Sequence, residues 1–441
     1  MDSLPCDVVN DVLALLPPRS LAAARCVCKA WRAAVDAGGL LRADLLPLTV
    51  GGVFTQLFHE LQPPEFLRPP SSSKKVSGDL GYVGIDSDHG MWLPRITDCC
   101  NGLLLLNNCV VNPATRRWAR LPPCPPLPEG RKHGHVGLYD YGYLVFDPAV
   151  SPHYQVVWLP YSVPRGQLKN KFSEGQLVEW PPSPWIVQVF SSRTQRWEDR
   201  SIVREGEAIA VPDLLQPAAI HYYSAYCHGS LYMHFEEGYL VRLTLSDDKY
   251  QVIKTPALAV INPSENGLVL IGKSKGGIYC AFTCEYQLRI WFLHEFGAET
   301  EWILVHETDL LVAIEARVHH NIDGPWILQS PWMKNLVEDG TTEEGVLEWD
   351  FDTDNIPDVD IQDVDTRCYD GAHDVRIIGF HPYKEVIFLH HLNCCYAVAY
   401  HWNSSKVQYM SRKLWTSYYE ERAESYFIYS PCWTGDLSED N

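Results

Sequence analysis

The stretches most able to do chemistry are short and widely spaced. Gly267-Leu268-Val269-Leu270-Ile271-Gly272-Lys273-Ser274 satisfies the G-x-x-x-x-G-K-S pattern of a phosphate-binding loop. That chemistry needs a flexible loop with N–H groups facing phosphate, followed by a helix start. Here the residues between the glycines are apolar and strand-forming, and Lys273 to Gly277 reads as a hairpin turn into Ile278–Phe282. The stretch predicts a strand and a turn. Asp350-Phe351-Asp352-Thr353-Asp354-Asn355 imitates a calcium loop, yet Asn355 stands where the sharp turn wants glycine, and Ile361 replaces the bidentate glutamate. Cysteines occur as Cys99-Cys100, Cys394-Cys395 and Cys26-x-Cys28, without the paired C-x-x-C knuckles of structural zinc. His133-x-His135 and His390-His391 lack companion ligands, and Cys227-His228-Gly229-Ser230 is no nucleophile elbow. We therefore expect no catalytic residue, no metal and no cofactor.

The bulk properties narrow the partners. The 441 residues allow several domains, and a net charge of −19 argues against nucleic acid. No long apolar window and no signal peptide are visible, so no membrane is expected, and the location is cytoplasmic and/or nuclear. The fourteen cysteines sit inside apolar segments and read as small buried hydrophobes in a reducing compartment.

From Ile96 onward, short apolar or aromatic runs alternate with Asn, Gly, Asp and Pro turns, the writing of an all-β domain. Gly102–Leu106 leads to Val111-Asn112-Pro113-Ala114-Thr115-Arg116-Arg117-Trp118. Comparable units run from Tyr143 to Trp158 and from Trp185 to Trp197, with vaguer copies over Gly229–Tyr250, Gly277–Trp302 and Gly379–Tyr409. Trp118, Trp158 and Trp197 fall 40 and 39 residues apart, the period of a four-stranded propeller blade, and read as packing between blades. Residues 62–80, rich in proline and serine, predict a flexible loop. Residues 338–374 hold fourteen acidic residues against Arg367 alone, which is −13 of the −19. They read as a solvated excursion or as a surface for a basic partner. Val50–Phe58 and Tyr426–Tyr429 are left over at opposite ends as strands that could close the ring.

The N-terminal stretch is written differently. Val8, Val9, Val12, Leu13 and Leu16 recur on one helical face, Pro17-Pro18 stops the helix, and Ser20 stands where an N-cap belongs. Leu21, Ala24 and Val27 give a second stripe, and Trp31 and Val35 a third before Gly38-Gly39. Leu4-Pro5, Asp7-Val8-Val9, Leu16-Pro17, Ser20-Leu21, Arg25, Val27-Cys28-Lys29 and Trp31-Arg32 together resemble the F-box. The resemblance implies docking on a Skp-type linker subunit, and through it on cullin and the RING subunit, by Leu4, Pro5, Val8, Val9, Val12, Leu16, Pro17, Leu21, Val27, Cys28 and Trp31. A unit of this size is too small to bury a stable core unaided. Cys100-Asn101-Gly102-Leu103-Leu104-Leu105 with Val111-Asn112-Pro113-Ala114-Thr115-Arg116 resembles the opening of plant F-box-associated domains, which look like kelch-type propellers and bind substrate.

The expected fold class is α + β multidomain: a small all-α F-box over 1–44, then a large all-β propeller of roughly six to eight blades over 45–435 and an acidic tail over 436–441. The expected function is a non-catalytic substrate adaptor of an SCF-type ubiquitin ligase. The alternative is a ligand- or glycan-binding propeller acting without the ligase. The protein substrate is unknown, and two places offer material to hold it, the acidic excursion and the aromatic run His221-Tyr222-Tyr223 with Tyr226. The latter reads equally as a buried strand.

Overall fold

The computed structural model describes residues 9, 11–13, 15–16, 21, 24, 27–37, 49–57, 63–70, 76–83, 95–106, 108–125, 142–159, 177–212, 219–235, 238–256, 267–284, 286–296, 299–310, 325–329, 349, 351, 375–391, 396–411, 423–433 and 437. The described residues near the N-terminus are mostly helical, with α1 (Lys29–Ala37) the one continuous helix among them, and the elements after residue 49 are strands. The first blade holds β3 (Ile96–Cys100), β4 (Leu103–Leu106), β5 (Cys109–Asn112) and β6 (Arg117–Arg120). The second holds β7 (Gly142–Val145), β8 (Gln155–Trp158), β10 (Trp185–Ser191) and β11 (Arg196–Arg204), with β9 (Leu177–Trp180) and β12 (Ile209–Pro212) paired beside it. The third runs β13 (Ala219–Cys227), β14 (Ser230–Phe235), β15 (Tyr239–Thr244) and β16 (Lys249–Lys254). The fourth runs β17 (Leu268–Ser274), β18 (Gly277–Cys284), β19 (Gln287–Phe296) and β20 (Glu299–Asp309). The fifth runs β22 (Val375–Phe380), β23 (Val386–His391), β24 (Tyr396–His401) and β25 (Lys406–Ser411).

The sixth blade is composite. β26 (Ala423–Tyr429) pairs with β1 (Gly52–Leu57), β1 with β2 (Glu65–Arg68), and β2 with β21 (Ile327–Gln329). The two leftover strands of the sequence meet here, Val53 opposite Ile428 and Phe54 opposite Phe427. Six separate apolar clusters fill the six gaps between neighbouring blades, so the ring closes. In β4, Leu103 and Leu105 pack toward the second blade while Leu104 and Leu106 pack toward the sixth. That explains its unbroken leucines, because a strand packed on both faces has no polar side to show.

Hairpin turns follow from local chemistry. β17 and β18 pair down to Ser274 opposite Gly277, leaving Lys275 and Gly276 as a two-residue loop with φ of 39° and 77°. Both positive values are those of a type I′ turn, so the phosphate-loop pattern is a hairpin as expected. Asn112 Oδ1 accepts from the N–H groups of Ala114 (3.1 Å) and Thr115 (3.4 Å), the turn that Asn-Pro-x-Thr predicts. Gly102 (φ 91°) is irreplaceable for a second reason: a Cβ there would come within 2.6 Å of Cys432 N and Ser430 O.

Several expectations are corrected. Residues 62–80 are no flexible loop throughout: Phe66 and Leu67 of β2 are fully buried, and Val76 and Leu80 pack beneath the sixth blade. The prolines only bracket the strand, as Pro63-Pro64 and Pro69-Pro70, where a missing N–H does no harm. Trp158 and Trp197 do not mark successive blades. They lie on the second and fourth strands of one blade, whose long middle connection mimics the period. Within the acidic excursion, Trp349 and Phe351 are packed against Trp326 and Phe388 in the gap between the fifth and sixth blades; its other residues lie outside the described set. In the expected acidic tail, Leu437 is 2% exposed and belongs to the cluster between the first and second blades.

Candidate functional site

Two regions bear on function, the N-terminal helical unit and the channel at the centre of the ring. In the helical unit, Leu13, Leu21, Ala24 and Val35 are buried together, with Val9, Leu16, Trp31 and Ala34 packed against them. Helix α1 starts after Cys28, whose Sγ accepts a weak hydrogen bond from the Trp31 N–H (3.5 Å) at the N-cap position. Outside this small core stand Val12, Leu15 and Val27, exposed by 55%, 84% and 65%. Three large aliphatic side chains thus stand open to solvent on a small unit.

The channel is lined by the inner strands. Asp98 on β3 is buried there and accepts from the N–H groups of Leu144 (2.7 Å) and Cys99 (2.8 Å) and from Ser224 Oγ (2.9 Å). One carboxylate thus ties together the inner strands of the first three blades. Burial pushes its pKa up to about 6 against the pull of those three hydrogen bonds. A cavity of about 130 Å³ opens beside it, bordered by Tyr226, Lys273, Tyr383 and Tyr426 among others. The Lys273 side chain makes no hydrogen bond or ion pair among the described residues, and its charge bears on Cys100 and Cys227. Burial holds the Cys100 thiol up to about 12, so it stays protonated and inert as a nucleophile. His390 Nδ1 lies 2.8 Å from Tyr426 Oη, linking the fifth blade to β26. On the far side of β26, the Ala114 N–H donates to Tyr429 Oη (3.0 Å) and Asn112 Nδ2 donates to Cys432 O (2.9 Å). Asp98 and the His390–Tyr426 pair act as ties between blades. Among the described residues, no group of three or more His, Cys, Asp or Glu could hold a metal.

Comparison with known proteins decides the first region. The F-box domain family matches residues 1–42. The chain carries an F-box domain. The F-box protein At3g07870 of Arabidopsis thaliana is 21% identical over 346 residues, covering 74% of this chain and 77% of that protein. An alignment of that length reaches well past the F-box into the propeller. Solved structures of YCF48 bound to a D1 peptide and of an ancestral GH74 enzyme each align at a TM-score of 0.32 and 10% identity. They cover 88% and 83% of this chain and 91% and 45% of those chains. The six-blade assignment stands on strand order and inter-blade packing alone.

The residues expected to dock the F-box fall into four groups. Val12, Val27 and Cys28 are exposed, while Val9, Leu16 and Trp31 are half-buried against the domain's own core. Leu21 is a correction: at 3% exposure it is a core residue, not a docking one. It heads the Leu21-Ala24 stripe, and that stripe faces inward onto Leu13 and Val35. Leu4, Pro5, Val8 and Pro17 lie outside the described residues. Leu15 falls off the spacing that joins Val8, Val12 and Leu16, yet it is the most exposed large apolar residue among those described in the unit. Asp98 was missed; its only signal is an acid in an otherwise apolar strand, Ile-Thr-Asp-Cys-Cys. The aromatic run from His221 lies within strand β13, the strand alternative of its two expected readings.

Proposed function

We propose that this chain is a substrate adaptor of an SCF-type ubiquitin ligase. Its F-box docks on a Skp-type linker subunit, which joins it to cullin and the RING subunit, and its propeller captures a protein substrate. One observation carries the reading: the F-box match coincides with a helical unit whose own core leaves Val12, Leu15 and Val27 open. The F-box relative, aligned over most of both chains, supports the same role. The adaptor contributes proximity. It raises the effective concentration of a substrate lysine at a thioester carried by another subunit, which needs no catalytic group, metal or cofactor of its own. The complex acts in the cytoplasm and/or nucleus.

Reconstitution tests this. Mixed with purified linker subunit, cullin and RING subunit, the chain should co-elute as one complex on size exclusion, and the chain lacking residues 1–44 should not. A full chain that elutes alone from folded linker subunit would overturn the adaptor reading in favour of a propeller acting without the ligase.

A further inference from the structure

The outer edges of the six blades are guarded unequally. Each outermost strand exposes a row of N–H and C=O groups, and natural edges are blunted by brevity, by lysine or arginine, or by pairing. β6 carries Arg117 and Arg120, β16 carries Lys249 and Lys254 at its two ends, and β25 begins with Lys406. β21 is three residues long. β11 contains Arg196, Arg200 and Arg204 and pairs in parallel with β16 at Val203 and Arg204. β20 differs in kind: it is long, its charges are all acidic (Glu299, Glu301, Glu307 and Asp309), and its one bulge lies beyond Leu304. It runs eleven residues, Glu-Thr-Glu-Trp-Ile-Leu-Val-His-Glu-Thr-Asp, with no lysine or arginine, and among the described residues it pairs with β19 alone.

This acidic edge also exposes apolar side chains and is rigid. Ile303, Leu304 and Val305 are exposed by 42%, 47% and 44%, and Phe296, at the start of the β19–β20 turn, by 78%. Trp302 Nε1 donates to Lys254 O (2.9 Å) on the third blade, and His306 Nε2 lies 3.0 Å from Tyr400 Oη on the fifth. Both neighbours thus hold the strand in place. From Glu299 to Leu304 its register with β19 is unbroken, and a bulge at Val305 ends the run. Within that run the side chains of Glu299 and Glu301 have no hydrogen bond or ion pair among the described residues.

We propose that Glu299–Leu304 receives an extended segment of the protein substrate as an added β-strand, the segment carrying lysine or arginine opposite Glu299 and Glu301 and apolar residues beside Ile303 and Leu304. The proposal rests on the adaptor reading above and names the place and chemistry of its substrate end. Main-chain hydrogen bonds give such docking its affinity and the alternating side chains its specificity. A second copy of this chain is a poor occupant, since β20 against β20 would bring four carboxylates from each strand together.

The test uses the full chain with the linker subunit bound and a fluorescent synthetic peptide that has lysine only at the two positions facing Glu299 and Glu301 and valine at the others. A matched peptide N-methylated at alternate residues has the same charge and side chains but lacks the N–H donors of one edge. The first peptide should bind and the N-methylated one at least about tenfold more weakly. Ile303→Lys, an exposed change that supplies a lysine guard, should weaken binding by a similar factor. Glu299→Lys with Glu301→Lys should weaken it and flatten its salt dependence. All variants should still co-elute with the linker subunit. Absent binding, equal binding of both peptides, or affinity untouched by Ile303→Lys would overturn the edge proposal while leaving the adaptor reading standing. A concentration-dependent dimer abolished by Ile303→Lys would also overturn it, in favour of self-pairing. Loss of co-elution by the unmodified chain would sink the adaptor reading instead.

Discussion

The F-box and the propeller solve the same packing problem in opposite ways. The propeller closes on itself, so every blade meets two neighbours and six clusters absorb its aromatic and aliphatic residues. The F-box buries Leu13, Leu21, Ala24 and Val35 and leaves Val12, Leu15 and Val27 open. A closed ring is stable by its own contacts, whereas a small helical unit with an open apolar face gains its stability from a partner. The two regions should therefore fail independently, and each experiment below asks whether they do.

Removing the residues after Glu424 should have the largest effect. It deletes nearly all of β26, the inner strand of the sixth blade, and with it the packing of Phe427 and Tyr429 against the first blade. Calorimetry should show the cooperative propeller transition lost, and cooperative melting like that of the intact chain would show that β26 is not the latch. Phe54→Ala is the next probe. Phe54 is fully buried, with ring centroids 4.3 Å from Phe66 and 5.6 Å from Tyr429. Its loss should cost about 3–5 kcal/mol in chemical denaturation, with linker binding unchanged. A smaller cost, under about 1 kcal/mol, would mean that the closing blade is not packed as described.

Acid should act on the ring with a defined sign. Burial holds His390 down at about 3 and His234 at about 4, so the unfolded chain takes up these protons first. Their contribution is full above pH 6.5 and lost as pH falls toward the folded values. Asp98 works the other way: its raised value means that the folded chain holds the proton more tightly, so its contribution falls as pH rises from about 4 through about 6. Between pH 7 and 5, stability should decline on acidification; His390→Gln should flatten that slope and Asp98→Asn should steepen it. Melting temperatures across this range that ignore both substitutions would contradict the burial described for these groups.

What could be read from sequence followed how local the information was. The fourth blade lies in one continuous stretch, and its hairpin at Lys275-Gly276 was legible from the turn residues alone. The sixth blade gathers strands from three distant parts of the chain, and only its two terminal strands were recognisable, as pieces without a place. β2 was hidden because its flanking prolines dominate the composition of a four-residue strand. The tryptophan period pointed to the right fold through a wrong division, since Trp158 and Trp197 share a blade. At the F-box, helical spacing identified the unit but could not say which stripe faces inward: Leu21 is buried and Leu15 exposed.

Val12, Leu15 and Val27 give the smallest expected change in stability and the most direct test of the adaptor claim. Unlike Val9 and Leu16, which also support the internal core, these residues can be changed without opening a cavity. The deciding measurement is the affinity of a Val12→Asp, Leu15→Asp, Val27→Asp triple variant for the purified Skp-type linker subunit by calorimetric titration. The account predicts binding weakened by about a hundredfold or more, with the propeller melting transition unmoved. Affinity equal to that of the unchanged protein, in a variant that still melts cooperatively, would contradict it.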